Sequence, residues 1–147
     1  MMRAASERDI QQVEALLRSV TLPVEGVAEH IREFVVEERD GSIVGSAAVE
    51  RYGENGLLRS VAVSPKLQGT GLGATLVERA LDQSTTAGVR NVVLLTTTAR
   101  EFFAKRFGFE ECWRGEYDSA FAGWAEWKLP RCSSAIAMRR RLVPVGP

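Results

Sequence analysis

Val61-Ala62-Val63-Ser64-Pro65-Lys66-Leu67-Gln68-Gly69-Thr70-Gly71-Leu72-Gly73-Ala74-Thr75-Leu76-Val77 changes period in mid-course. Its leading end continues an apolar, β-branched run, Leu57 to Val63, that reads as a strand. From Gly71 onward Leu72, Leu76, Val77, Ala80 and Leu81 recur at helical spacing, and the pattern stops near Gly88, so a crossover helix is expected. Between strand and helix lies Gln68-Gly69-Thr70-Gly71-Leu72-Gly73. Unpaired N–H groups at a helix start, together with the helix dipole, favour an anion there, and phosphate is the obvious guest. The glycines let the backbone approach it closely, and Thr70 offers a hydroxyl donor. The spacing is neither the dinucleotide fingerprint G-x-G-x-x-G nor the P-loop G-x-x-x-x-G-K-(S/T), which argues against nicotinamide and nucleoside-triphosphate chemistry.

Outward from this unit, Val92 to Thr96 reads as a short apolar strand, and Arg100 to Arg106 as a short helix stopped by Gly108. Upstream, Ile43 to Glu50 and Leu57 to Val63 flank the turn-like Tyr52-Gly53-Glu54-Asn55-Gly56 and should pair antiparallel. Asp40-Gly41 marks a further hairpin after an extended Glu33 to Arg39. Met2 to Ala5 is a first strand; Ser6 caps a helix carrying Ile10, Val13, Leu16 and Leu17; Val27 to Ile31 suits a short second helix after Pro23. Downstream, Phe109 to Tyr117 is expected as a strand, Ser119 to Trp127 as helix or loop, and Ala135 to Leu142 as a closing strand before a frayed Pro/Gly tail.

The 147 residues suit one domain spanning the whole chain, 1–147. Lys+Arg equals Asp+Glu at 19 each, so no global field draws nucleic acid or a membrane, and an anionic partner must be held locally. The cysteines Cys112 and Cys132 form no zinc-type pair, and no signal peptide or long apolar run is visible. A cytoplasmic, metal-free protein is the expectation. The C-terminal strands offer a sheet edge through which two copies can pair.

Gln68-x-x-Gly71-x-Gly73 after Val61-Ala62-Val63 resembles the (R/Q)-x-x-G-x-(G/A) acyl-CoA motif of the GNAT N-acetyltransferases. Ala99-Arg100-Glu101-Phe102-Phe103 and Gly108-Phe109 resemble the helix and strand that close their cofactor cleft, so the likeness runs from about Arg3 to Phe109. It implies a mixed, mostly antiparallel sheet of about seven strands flanked by about four helices. It also implies an acetyl-CoA cosubstrate and a small-molecule amine acceptor. Val61, Ala62 and Val63 would meet the pantetheine arm, and Gln68, Gly69, Thr70, Gly71, Leu72 and Gly73 the pyrophosphate; Phe102 and Phe103 would flank the cofactor. A narrower similarity is to arsenic-resistance N-acetyltransferases of the second sequence type. It is carried by Glu50, Leu57-Leu58-Arg59-Ser60-Val61-Ala62-Val63, Leu94-Leu95-Thr96-Thr97-Thr98-Ala99, Phe102-Phe103, and Cys132-x-Ser134-Ala135 with Met138-Arg139-Arg140. It implies detoxification by acetylating an amine, with an organoarsenical amino acid as one acceptor.

Acetyl transfer to an amine needs a neutral nucleophile, a stabilised oxyanion and a departing thiolate. Glu50, at the end of its strand, is the candidate base and acceptor contact. The N–H near Val61, helped by the Ser60 hydroxyl, is the candidate oxyanion donor. Arg59 suits an oxyanion on the acceptor, with Thr97 beside it; Trp124, three residues from Trp127, either covers the acceptor side or buries one face of a short helix, and core packing is the favoured reading. In a regular strand Arg59 and Val61 share a face and Ser60 does not, unless a bulge intervenes. The family's tyrosine acid is missing: Phe103 or Ala104 stands in its place. The thiolate then leaves unassisted or takes a proton from water, Thr97 or Thr98; the alternatives are an acetyltransferase for another amine (a polyamine, an amino acid or a protein N-terminus) and a non-catalytic acyl-CoA sensor. His30, the single histidine, would have to carry any triad mechanism alone. Arg139-Arg140-Arg141 is a short basic run at a strand end, of the kind that is usually solvated, with a phosphate of the cofactor as its alternative target.

Overall fold

The computed structural model describes residues 1–124, 127 and 135–142. Its strands are β1 (Met2–Ala4), β2 (Phe34–Arg39), β3 (Ser42–Tyr52), β4 (Asn55–Val63), β5 (Asn91–Thr96), β6 (Glu110–Glu111) and β7 (Ile136–Arg141). The helices are α1 (Ile10–Ser19), α2 (Val27–His30), α3 (Leu72–Thr86) and α4 (Arg100–Phe107). The strands form one seven-stranded sheet in the order β1-β2-β3-β4-β5-β7-β6, antiparallel except for the parallel pair β4–β5 made by the α3 crossover. This is the mixed, mostly antiparallel α/β architecture that the family resemblance implies.

Alternation along the strands builds two cores. Phe34, Val36 and Ala48 face α1 and α2, whereas Val35, Ala47 and Val49 face α3 and α4. The buried stripe of α3, Leu72, Leu76, Val77, Ala80 and Leu81, is the one the sequence pattern marks, and each large member stabilises by about 1.5–3 kcal/mol on burial. Gly45 of β3 lets α3 sit this close: a Cβ there would lie 2.7 Å from Leu76 Cδ1. A third cluster joins Leu57, Val93, Tyr117, Phe121, Trp124 and Trp127.

The expected strand from Phe109 to Tyr117 is corrected. Pairing stops at Glu111, and a 3-10 turn over Arg114–Tyr117 swings Tyr117 into the third cluster. The Trp113 indole lies across Gly115, where a Cβ would come within 2.5 Å of the ring. Cys132, Ser134 and the tail 143–147 lie outside the described residues. Among the described residues no helix is long and apolar enough to cross a membrane, and no cluster of His, Cys, Asp or Glu is placed to hold a metal ion.

Candidate active site

The glycine turn is shaped by its backbone. Gly69 and Gly71 have φ of +82° and +88°, and a Cβ at either would meet nothing within 4 Å, so conformation rather than crowding selects glycine. Gly71 caps α3 without a side-chain hydrogen bond, leaving the first-turn amides of Leu72, Gly73 and Ala74 for an external acceptor. Gln68 ties the turn back to β4 by donating Nε2–H to the Val63 carbonyl at 3.1 Å. The hydroxyl of Thr70 donates to the Leu67 carbonyl at 2.6 Å. Its expected use as a phosphate donor is therefore corrected: the proton stiffens the turn.

A cleft of about 280 Å³ opens at this turn, lined by Val63, Gln68, Gly69, Gly71, Phe102 and, from α4, Arg106. Arg106 went unnoticed in the sequence because an exposed cation in a short helix carries no periodic signal. Here it stands beside the free amides, where a cation favours phosphate.

The second element is a gap in the sheet. β5 pairs with β4 only at Asn55, Gly56 and Leu57, and beyond these the two strands part. On the other side Ser46 pairs with Ala62 but Ala48 with Arg59, so Ser60 and Val61 oppose Ala47 alone. This is a bulge, and Ser60 takes φ +58° within it. Its effect on facing is direct. Leu58 packs on the α3 side but Ala62 on the α1 side, although both are even-numbered. The shared face expected for Arg59 and Val61 in a regular strand is thereby corrected: Val61 turns to the α3 side, and Arg59 to the α1–α2 side. Ser60 and Val61 have no register partner on β3 or β5; the Ser60 carbonyl accepts from the Ser46 hydroxyl at 2.8 Å, and the β4 edge facing β5 is left open beyond Leu57.

A cleft of about 340 Å³ fills the gap, with Ser60 and Val61 on one wall, Thr96, Thr97 and Thr98 on the other, and Leu22 at its end. Phe102 and Phe103 also line it, Phe102 at 42% exposure and Phe103 buried. Phe102 borders the glycine-turn cleft too, so the two form one path.

Glu50 is placed otherwise than a base in contact with the acceptor would be. It has no exposed surface, and its Oε1 accepts from Arg59 Nη1 at 2.8 Å while its Oε2 accepts from the Tyr52 hydroxyl at 2.7 Å. Burial and the adjacent carboxylate push the Tyr52 phenol well up, so it stays a donor. His30 donates Nδ1–H to Glu33 Oε1 at 2.7 Å and keeps Nε2 3.7 Å from Glu50 Oε2. Arg59 is itself nearly buried. Beyond Glu50 it donates Nε–H to the Ser60 hydroxyl at 2.8 Å, Nη2–H to the Pro23 carbonyl at 3.1 Å, and Nη1–H to the Glu25 carbonyl. Glu50 does not line the cleft, whereas Arg59 does. Of the two readings of Trp124, acceptor wall and core, the structure has the core: it is buried against Trp127 with the Arg59 guanidinium 5.8 Å from its ring centre. Arg139 is held by Glu116 and Tyr117 in β7, away from the glycine turn.

An acetyltransferase (GNAT) domain family matches residues 30–111, more than half the chain. The chain belongs to the GNAT family. Among relatives of this GNAT chain, an amino-acid acetyltransferase of Neisseria meningitidis is 33% identical over 119 residues, covering 74% of this chain and 27% of that protein. An uncharacterized N-acetyltransferase of Chlorobaculum tepidum is 36% identical over 89 residues, covering 60% of this chain and 56% of its own. In three dimensions the GNAT fold superposes on N-acetylglutamate synthase from Neisseria gonorrhoeae, solved with coenzyme A and N-acetyl-glutamate. The TM-score is 0.81 at 27% identity, over 97% of this chain and 35% of that one. A Mycobacterium tuberculosis protein shares the fold at a TM-score of 0.76 and 24% identity, over 97% of this chain and 99% of that one. The chain thus spans about a quarter to a third of the Neisseria proteins. Their names point to amino-acid acetylation, not to arsenic resistance.

Proposed function

We propose that this chain transfers the acetyl group of acetyl-CoA directly to the primary amine of a small molecule of amino-acid type. The observation that carries the proposal is the continuous path from the α3 amides to the gap between β4 and β5, along which β4 has no partner on β5 beyond Leu57. The Leu72–Ala74 amides and Arg106 hold the pyrophosphate end. Val61, Ala62 and Val63 offer backbone groups to the pantetheine arm, and the Val61 N–H meets the carbonyl oxygen as negative charge develops. The amine nitrogen attacks the thioester carbon, the C–N bond forms, the C–S bond breaks, and the nitrogen loses a proton to water. The cleft residues include no carboxylate and no histidine among those described, so the acceptor enters as its free-amine fraction. The departing thiolate takes a proton from water or from the Thr97 or Thr98 hydroxyl.

Within that class we favour a detoxifying role on an amino acid that carries an arsenic- or phosphorus-centred acid. The stretches that support it, Leu58 to Val61, Leu94 to Ala99 and Phe102-Phe103, are the ones that line the acceptor cleft. Free-thiol release from acetyl-CoA across glutamate, other amino acids, arsenical and phosphorus-containing amino acids, a polyamine and a peptide N-terminus tests this. Turnover on the arsenical above the ordinary amino acids supports the narrower role, and preference for glutamate or the peptide removes it. The second reading, a sensor that binds acyl-CoA without turnover, is favoured by one observation. Tyr52 is bonded to Glu50 and Tyr117 to Asn91 and Arg139, so neither reaches the cleft. Tight CoA binding with no thiol release on any amine would decide for it.

A further inference from the structure

Arg59 joins three segments of chain at one guanidinium. Glu50 belongs to β3, the Pro23 and Glu25 carbonyls to the connection between α1 and α2, and the Ser60 hydroxyl to the bulge of β4. The connection and the bulge both face the cleft, through Leu22 on one side and Ser60 and Val61 on the other. Gly26 lets the connection close on the guanidinium: its φ is +83°, and a Cβ there would lie 3.1 Å from Arg59 Nη1 and 3.5 Å from Glu50 Oε1. The side chains of Arg59 and Glu50 are 5% and 0% exposed, so neither charge is tolerable without the other.

We propose that Arg59 is a positioning residue that fixes the acceptor-side connection, 22–26, relative to the oxyanion bulge at Ser60–Val61, with Glu50 as its obligatory counter-charge. The proposal rests on the acetyl-transfer reading and refines it, because it replaces direct acceptor contact at Arg59 with a geometric task. The planar fork explains the choice of arginine: its N–H groups diverge in one plane and reach acceptors on different segments, which a lysine ammonium on a flexible stem cannot do at once. Ser60, at positive φ in the bulge, is tied into the same clamp: its hydroxyl accepts from Arg59 Nε and its carbonyl accepts from Ser46 Oγ at 2.8 Å.

The test compares Arg59→Lys, Glu50→Gln, their double variant and Gly26→Ala on two acceptors that differ only in an anionic group, such as an amino acid and its carboxamide. Positioning predicts that kcat falls by about tenfold to a hundredfold, and by the same factor on both acceptors. The CoA Kd by calorimetry should stay at the wild-type value, and the double variant should fall little further than either single one. Amide exchange across 22–26 should also accelerate in Arg59→Lys. Gly26→Ala leaves both charges in place and carries the test if the ion-pair variants do not fold. A loss confined to the anionic acceptor, or an unchanged kcat in Gly26→Ala, overturns the proposal. Absence of turnover in the wild type, by contrast, counts against acetyl transfer itself, and the exchange rates across 22–26 then judge the clamp alone.

Discussion

Two glycines of one turn should respond in opposite ways to the same substitution. Gly71 sits at φ +88°, and a Cβ there touches nothing. Gly71→Ala therefore introduces backbone strain without a clash, about 1–2 kcal/mol for an L-residue in the left-handed region. Gly73 lies inside the first turn of α3 at ordinary helical φ, and its Cβ would meet Val63 Cγ2 at 3.5 Å, a normal contact. Gly73→Ala should then stabilise by roughly 0.5 kcal/mol, chiefly by lowering the entropy of the unfolded chain. For a chain of this size the two changes correspond to a melting temperature lowered by about 2–8 °C in Gly71→Ala and raised by about 1–2 °C in Gly73→Ala. Where the strain is relieved by the turn leaving its anion-binding shape, CoA affinity falls by about fivefold to thirtyfold in Gly71→Ala. Thermal melts with and without CoA, and calorimetric titration of CoA, measure both quantities. Equal effects at the two positions, or wild-type melting and CoA affinity in Gly71→Ala, would refute the assignment of the turn conformation as the binding determinant.

Other perturbations have equally definite outcomes. Arg106→Glu should raise the CoA Kd by about threefold to tenfold at low salt, with the difference shrinking as ionic strength rises; a salt-independent or absent change would remove Arg106 from the phosphate site. Because the described cleft residues include no carboxylate or histidine, kcat/KM should climb with pH until the acceptor's own amine is deprotonated. An additional break near neutrality that disappears in Glu50→Gln would restore Glu50 as base. Arg3 holds the Asp9 carboxyl down to about 2, through hydrogen bonds of 2.8 and 2.9 Å. Because the folded value lies below the unfolded one of 3.8, the pair stabilises above about pH 4 by roughly 2 kcal/mol and loses this as pH falls toward 2. Denaturant melts of Asp9→Asn should differ from wild type at pH 7 and converge with it as the pH falls to about 2 and below.

Local periodicity carried most of the architecture. The α3 stripe from Leu72 to Leu81, the hairpin through Gly53 and the glycine turn each announce themselves within a few residues, because their signals are short-range. The chemistry around Glu50 did not, for a physical reason. A period-two pattern assigns a side chain to a face but cannot say what covers that face. Glu50 is sealed by an arginine nine positions away and by a connection that lies still further upstream. The bulge is equally hidden, since it follows from a register shift between β3 and β4 rather than from the composition of Ser60. Trp124 was ambiguous because an aromatic spacing of three suits a pocket wall and a core alike, and only its packing on Trp127 separates the two. Arg106 acquires meaning solely from the proximity of α4 to the start of α3.

Three register pairs are all that stitch β4 to β5. The sheet is therefore two half-sheets with a seam, the cleft along Leu58 to Val61, where continuous strand pairing would otherwise run. A cofactor arm laid in the seam would take the role of a missing strand segment. Ligand binding would then act as completion of the fold: amides on both lips of the seam should slow their exchange with solvent together, and the half-sheets should melt as one body instead of two.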